Sequence, residues 1–364
     1  MRRGFRFERF SEGGKLMLMD KGNLHGGDRY GRALHIDFSA NVNPFGTPAS
    51  VKRAVAEALD TLSFYPDAYC RALRFALSDY EEVPYEHILC GNGAAELIYS
   101  FAYAVGGTAL ILFPTFSEYE TAWRAAGGTA VCCPLREENG FYPDGAFLSR
   151  IEEGMSAVFL CTPNNPTGIL YDADFITAAA QRCEDVGARL FLDCCFLDLS
   201  DDPGRYAIPA LAAKFPNVFV LRAFTKSYGM AGLRLGYGLC SDTDFLCRMS
   251  EKAPCWNVSS AAQAAGIAAA SDRDTLARFR ALISEERPYL HRSLCDLGFR
   301  VYDGAANFLL FRTDVPLYDA LLARGIQIRS CANFAGLDGR YCRIAVREHR
   351  DNEILIQTIG EILS

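Results

Sequence analysis

Between residues 87 and 240 the chain alternates short apolar runs with stretches of helical spacing. Candidate strands lie at 87–90, 109–113, 157–161, 189–193, 218–222 and 235–240, and segments such as 96–105 and 175–186 carry helix-like spacing. Strands that alternate with helices make a mostly parallel sheet covered on both faces. After Cys240 the pattern changes. A helix-rich stretch, 244–297, includes the alanine-rich segment 259–270, and strands then return at 299–302, 308–312 and 341–346. The expected fold class is α/β, with a large domain over 46–245 whose mostly parallel sheet is flanked by helices. A smaller α/β domain is expected over 246–364, joined by an N-terminal arm, 1–45, that also reaches the active site.

Composition agrees with two domains, since 364 residues at 50% hydrophobic content suffice for a large core. The net charge of -7 argues against nucleic acid as a partner. No apolar run approaches the roughly 20 residues that span a bilayer, so no membrane partner is expected. Fourteen cysteines include the pairs Cys132-Cys133 and Cys194-Cys195, but there is no Cys-x-x-Cys and no His-Cys cluster, so no metal is expected. Cysteines such as Cys161 sit in apolar runs, and no secretory signal is present, which fits reduced core residues of a cytoplasmic protein. Residues 1–10 are basic and aromatic but lack the apolar stretch and cleavage site of a targeting segment. Met17 and Met19 are alternative starts.

Four motifs carry chemistry. Gly91-Asn92-Gly93-Ala94-Ala95-Glu96 follows a strand and opens a helix. Glycines let the backbone approach a ligand, and the free N–H groups at a helix start favour a phosphate. Alone, the motif also fits a plain strand-to-helix turn. Thr162-Pro163-Asn164-Asn165-Pro166-Thr167-Gly168 fixes a loop at the carboxyl end of the sheet, where such sheets bind ligands, or serves as simple turn chemistry. Asp193 ends the apolar run 189–193. A carboxylate there needs a partner, either a helix start or a protonated ring nitrogen. Lys226 lies among small and apolar residues, with Arg234 eight positions on. A desolvated lysine loses its proton readily and can bond to a carbonyl cofactor beside an anchored phosphate. An isolated loop lysine would need no such role.

In this order the motifs resemble those of the fold-type I, class I/II aminotransferase superfamily, over nearly the whole chain after His25. His25-Gly26-Gly27, the run from Asp37 to Gly46 with its Asn41-Val42-Asn43-Pro44, and Tyr65-Pro66-Asp67 narrow the likeness. They are similar to the threonine-phosphate decarboxylase branch, which serves cobalamin synthesis, and in part to the histidinol-phosphate aminotransferases. The segment from Ile328 to Leu337, and Arg343, resemble the decarboxylases as well. The resemblance implies pyridoxal 5′-phosphate as cofactor. It gives Lys226 and Asp193 as catalytic groups, Asp193 pairing with the pyridine nitrogen and Asn165 with the ring hydroxyl. The cofactor phosphate falls to Gly93, Ala94, Thr225 and Arg234, and Phe116 stacks on the ring. Tyr65 reaches the phosphate of a neighbouring subunit, which implies a homodimer with shared active sites. Arg329, Arg343, His25 and Asn165 hold the substrate, an amino acid or phosphoamino acid. Two residues depart from the common pattern, Phe196 without a hydroxyl and Thr162 where Asn is frequent.

Once such a substrate is bound to the cofactor, the bond broken at Cα is the one held perpendicular to the ring. A phosphoamino acid carries two anionic groups, and two arginines suit them. Decarboxylation of L-threonine O-3-phosphate is the first expectation. Transamination of histidinol phosphate or another amino acid with 2-oxoglutarate is the alternative, and a non-catalytic cofactor-binding protein is a third reading.

Overall fold

The computed structural model describes residues 25–30 and 33–364. The basic segment 1–10 and the alternative starts Met17 and Met19 lie outside the described residues. In chain order the described strands are β1 (Ile36–Asp37), β2 (Ile88–Gly91), β3 (Thr108–Phe113), β4 (Thr129–Pro134), β5 (Ala157–Cys161), β6 (Arg189–Asp193) and β7 (Val218–Arg222). They continue with β8 (Gly236–Leu239), β9 (Arg300–Val301), β10 (Phe308–Arg312), β11 (Ile326–Gln327), β12 (Arg329–Ser330) and β13 (Tyr341–Ala345). The helices that matter below are α1 (Ala49–Ala58), α2 (Arg71–Glu81), α3 (Gly93–Val105), α4 (Glu118–Ala125), α5 (Ala173–Asp185), α6 (Ile208–Lys214) and α7 (Thr243–Ser250). They are followed by α8 (Ser260–Ser271), α9 (Arg273–Asp296), α10 (Leu317–Leu322) and α11 (His349–Leu363).

Strands β2-β8-β7-β6-β5-β3-β4 form one sheet, in which only β8 runs against the rest. The central strands β5 and β7 are buried at every position, as continuous apolar runs require when helices cover both faces. One face packs on α3, α4 and α7 through Phe101, Trp123, Phe159, Phe191, Phe219 and Phe245. The other face packs on α2, α5, α6 and α8. Edge strand β4 escapes the apolar-run pattern because most of it is exposed. Its sequence, Thr-Ala-Val-Cys-Cys-Pro, had no buried face to advertise.

Strands β12-β13-β10-β9 form a separate antiparallel sheet, and β1 pairs with β11 in parallel. Along β10, Leu309 and Phe311 face a core built with α9, α10 and α11, whereas Phe308 and Leu310 face the core shared with the large sheet. Alternation on β13 likewise sends Cys342 and Ile344 to the first of these cores and Tyr341 to the second. Arg343 therefore points with Tyr341, toward the large sheet. Helix α9, 24 residues or about 36 Å long, contributes Leu276 to one core and Leu290 to the other.

Candidate active site

The carboxyl ends of β2, β5, β6 and β7 lie on one edge of the large sheet, and the loops leaving them enclose a cleft of about 350 Å³. The small sheet and the arm close its other side. Of the residues singled out in the sequence, Ala94, Phe116, Asn165, Asp193, Thr225, Lys226 and Arg234 line the cleft from the large sheet. Arg329, Arg343 and His25 line it from the other side. Gly93 lies one residue behind, at the start of α3. Tyr65 does not line this cleft. It is 78% exposed and stacks on Trp256, with ring centroids 4.4 Å apart.

At the phosphate-type cradle, Gly93 has φ +77°, and a Cβ there would stand 2.5 Å from Nη2 of Arg234. Only glycine lets the guanidinium lie against the first turn of α3. Gly236 serves the same end, since its Cβ would meet the Ala94 nitrogen at 2.6 Å. Strand β8 can thus press against the helix start. Arg234 is exposed here and itself has a left-handed backbone.

Lys226 follows β7, and its carbonyl accepts a hydrogen bond from the Asn43 nitrogen at 2.9 Å. The Asn43 amide donates to the Ser227 carbonyl at 2.8 Å. The second Asn of Asn41-Val42-Asn43-Pro44 thereby clamps the lysine loop to the arm. Burial, then the nearby Arg343, pushes the Lys226 ammonium from the usual 10.5 down to about 8. Asp193 is 6% exposed, and burial raises its affinity for a proton. Two donors oppose this. The Tyr119 hydroxyl donates to Oδ2 at 2.6 Å, and the Cys195 nitrogen donates to Oδ1 at 2.9 Å.

The arginines come from paired strands. Arg329 of β12 and Arg343 of β13 stand directly opposite each other in register. Like charges in such positions repel. Both are buried, and burial lowers both pKa values, that of Arg343 to about 10. Arg343 donates through Nη1 to Asn165 Oδ1 and through Nη2 to the Ser39 carbonyl at 2.8 Å. Its Nε is buried with no partner, and both partners it has are neutral oxygens. Arg329 donates to Asn333 Oδ1 at 2.7 Å. His25 pairs with Glu118 Oε1 at 3.0 Å, and its ring lies 5.6 Å from that of Phe116.

Several residues at the site escaped sequence reading. Ser39 and Asn41 line the cleft from the arm, and Cys161, Cys195 and Tyr119 line it from the large-sheet side. The Asn-x-Asn-Pro run was the available signal for the arm. Nothing local marked Tyr119, whose partner is 74 residues away.

The family model for aminotransferase class I and II matches residues 35–359. The threonine-phosphate decarboxylase of Salmonella typhimurium is 39% identical over 334 residues, covering 90% of this chain and 91% of that protein. Among solved structures, the histidinol-phosphate aminotransferase from Clostridium acetobutylicum matches with a TM-score of 0.85 and 28% identity, over 90% of this chain and 99% of that one. The L-threonine-O-3-phosphate decarboxylase from Porphyromonas gingivalis matches with a TM-score of 0.79 and 25% identity, over 90% and 99%. The chain belongs to the aminotransferase class I and II family. It is an enzyme of fold type I, and its cofactor is pyridoxal 5′-phosphate.

Proposed function

We propose that this enzyme removes the carboxyl group of L-threonine O-3-phosphate, or of a similar phosphoamino acid, giving an amino-alkyl phosphate and CO₂. The observation that carries the reading is the opposed pair Arg329 and Arg343 in the same cleft as Lys226 and Asp193. Arg343 is buried with only neutral oxygens as hydrogen-bond partners, which suits an anionic substrate group, and Arg329 lines the same cleft beside it. A substrate with both a carboxylate and a phosphate supplies two such groups. The likeness to the Salmonella typhimurium threonine-phosphate decarboxylase supports the same choice and, with it, a place in cobalamin synthesis.

The residues present fit the cofactor. The Gly93–Arg234 cradle leaves room for a phosphate at the start of α3, with Ala94 N–H and Thr225 beside it. Bound there, pyridoxal phosphate supplies a protonated ring that draws electrons from whichever bond at the substrate Cα breaks. Asp193 would keep the ring nitrogen charged, and Phe116 would cover the ring. Asn165 accepts from Arg343 through Oδ1, which leaves its amide N–H₂ to donate to the ring hydroxyl. Lys226 would hold the cofactor carbonyl. With its pKa near 8, it can also take or return a proton at Cα. Arg343, Arg329 and His25 orient the substrate's anionic groups and so select the bond that breaks.

The division into an arm of residues 1–45, a large domain of 46–245 and a small domain of 246–364 is part of this proposal. So is a cytoplasmic homodimer. Leu59, Leu62, Phe64, Tyr65 and Trp256 are exposed apolar side chains, which favours a covered surface there. Tyr65 would then complete the partner's cofactor site. Among the described residues, no helix is long and apolar enough to cross a membrane.

Transamination stays as a second reading because of the TM-score of 0.85 to a histidinol-phosphate aminotransferase. A panel of plain and phosphorylated amino acids separates the two. The expected result is CO₂ release from L-threonine phosphate with no 2-oxo acid added. Glutamate formation that requires 2-oxoglutarate, without CO₂, would reverse the choice.

A further inference from the structure

Asp193 cannot be an effective partner for a ring nitrogen unless it stays ionised, and its own strand works against that. It ends β6, whose other buried residues are leucine and phenylalanine, and burial favours the neutral acid. A neutral carboxylic acid would not keep a pyridine nitrogen charged. The groups facing this carboxylate are the Tyr119 phenol from α4, the Cys161 thiol from β5, Cys194 and Cys195 after β6, and the Lys226 ammonium after β7. Of these, Tyr119 Oη and the Cys195 backbone nitrogen donate hydrogen bonds to it, one to each oxygen.

Tyr119 is held in place for this. It is 1% exposed, stacks on Phe159 with centroids 5.4 Å apart, and meets Phe116 edge-on at 5.7 Å. The turn that leads into α4, where the Tyr119 nitrogen donates to the Phe116 carbonyl at 3.3 Å, thus ties the ring expected to cover the cofactor to this hydroxyl. We infer that Tyr119 is a positioning residue, whose hydroxyl fixes Asp193 as an oriented carboxylate and through it keeps the cofactor's ring nitrogen protonated. This rests on the reading that pyridoxal phosphate occupies the cleft. Burial and the nearby Asp193 hold the Tyr119 phenol well above its ordinary value, so it stays a donor throughout the working range. A hydrogen bond from a neutral donor to a buried charge is among the stronger kinds, and its loss is felt directly.

The test is Tyr119→Phe, which keeps the ring and its packing. The enzyme is loaded either with natural cofactor or with an analogue that carries CH in place of the ring nitrogen. With natural cofactor, kcat should fall about tenfold to hundredfold while KM stays within about twofold. The pH at which the bound cofactor's visible absorbance changes should move as well. With the analogue, the variant and the unaltered enzyme should agree within about twofold, because the nitrogen acted upon is gone. Adding Tyr119→Phe to Asp193→Asn should likewise change little further. Equal losses with both cofactors, or no loss with the natural one, would overturn the role of Tyr119. An unaltered protein that binds no cofactor, and so has no visible absorbance, would instead overturn the cofactor reading, before any variant is made.

Discussion

The carboxyl edge of the seven-stranded sheet and the inner face of the four-stranded sheet meet in one cleft, but they present their functional groups differently. On the large sheet every group sits at a strand end or in the loop beyond it. Asp193 closes β6, Asn165 follows β5, Lys226 follows β7, and Gly93 and Ala94 open the helix after β2. Strand ends and loops carry polar groups without breaking the sheet's apolar faces, although Asp193 and Lys226 are desolvated there. On the small sheet the groups lie within the strands, Arg343 at the middle of β13 and opposite Arg329 of β12. Arg343 is buried with only neutral oxygens as hydrogen-bond partners, and its Nε has none. On the proposed reading, the large sheet serves a resident group and the small sheet a transient anion.

Breaking the large-sheet half should have the larger effect. Lys226→Ala is expected to abolish the visible absorbance of the bound cofactor and to lower turnover by roughly 10³-fold or more. Spectroscopy and CO₂ release measure the two separately. Damage to the small-sheet half should leave that absorbance intact. Arg343→Lys removes a planar, two-pronged donor and should raise KM for L-threonine phosphate about tenfold to hundredfold, with a spectrum like that of the unaltered enzyme. Arg329→Lys should do the same less severely. An arginine variant that loses the cofactor would erase the contrast between the halves.

The smallest effect is one of stability. The folded-state pKa of Lys226 is lowered from 10.5 to about 8. Between those values the unfolded chain holds a proton that the folded chain has released, so folding grows more favourable as pH rises through that window. Below about 8 both states are protonated and the full penalty applies. In the cofactor-free protein, Lys226→Met should therefore add roughly 1–3 kcal/mol at pH 7, and the gain should shrink toward pH 10.5. Chemical denaturation at several pH values reads this directly. A gain that does not change with pH would mean that packing, not charge, is responsible.

The same contrast explains what the sequence disclosed. The large sheet was legible because β5, β6 and β7 are apolar runs, and each ends in or leads into a chemically distinctive residue. Strand β4 was missed because it is an exposed edge, and β1, β11 and β12 because they are two residues long. Lys226, Asp193, Asn165 and Arg234 announced themselves through local spacing. Arg343 was marked by the family resemblance, but its register against Arg329, fourteen positions earlier, could not be read from the sequence. Tyr119 was invisible for a similar reason. Its hydroxyl finds Asp193 only after α4 has docked on the sheet beside Phe159 and Phe191. Local motifs survive in sequence, whereas partners brought together by packing do not.

Borohydride trapping of the cofactor-loaded enzyme, followed by peptide mapping, tests both halves at once. The cofactor is expected to be fixed to Lys226 alone, and saturating L-threonine phosphate should protect that lysine, whereas threonine at the same concentration should not. Labelling at another lysine, or equal protection by threonine, would contradict the account.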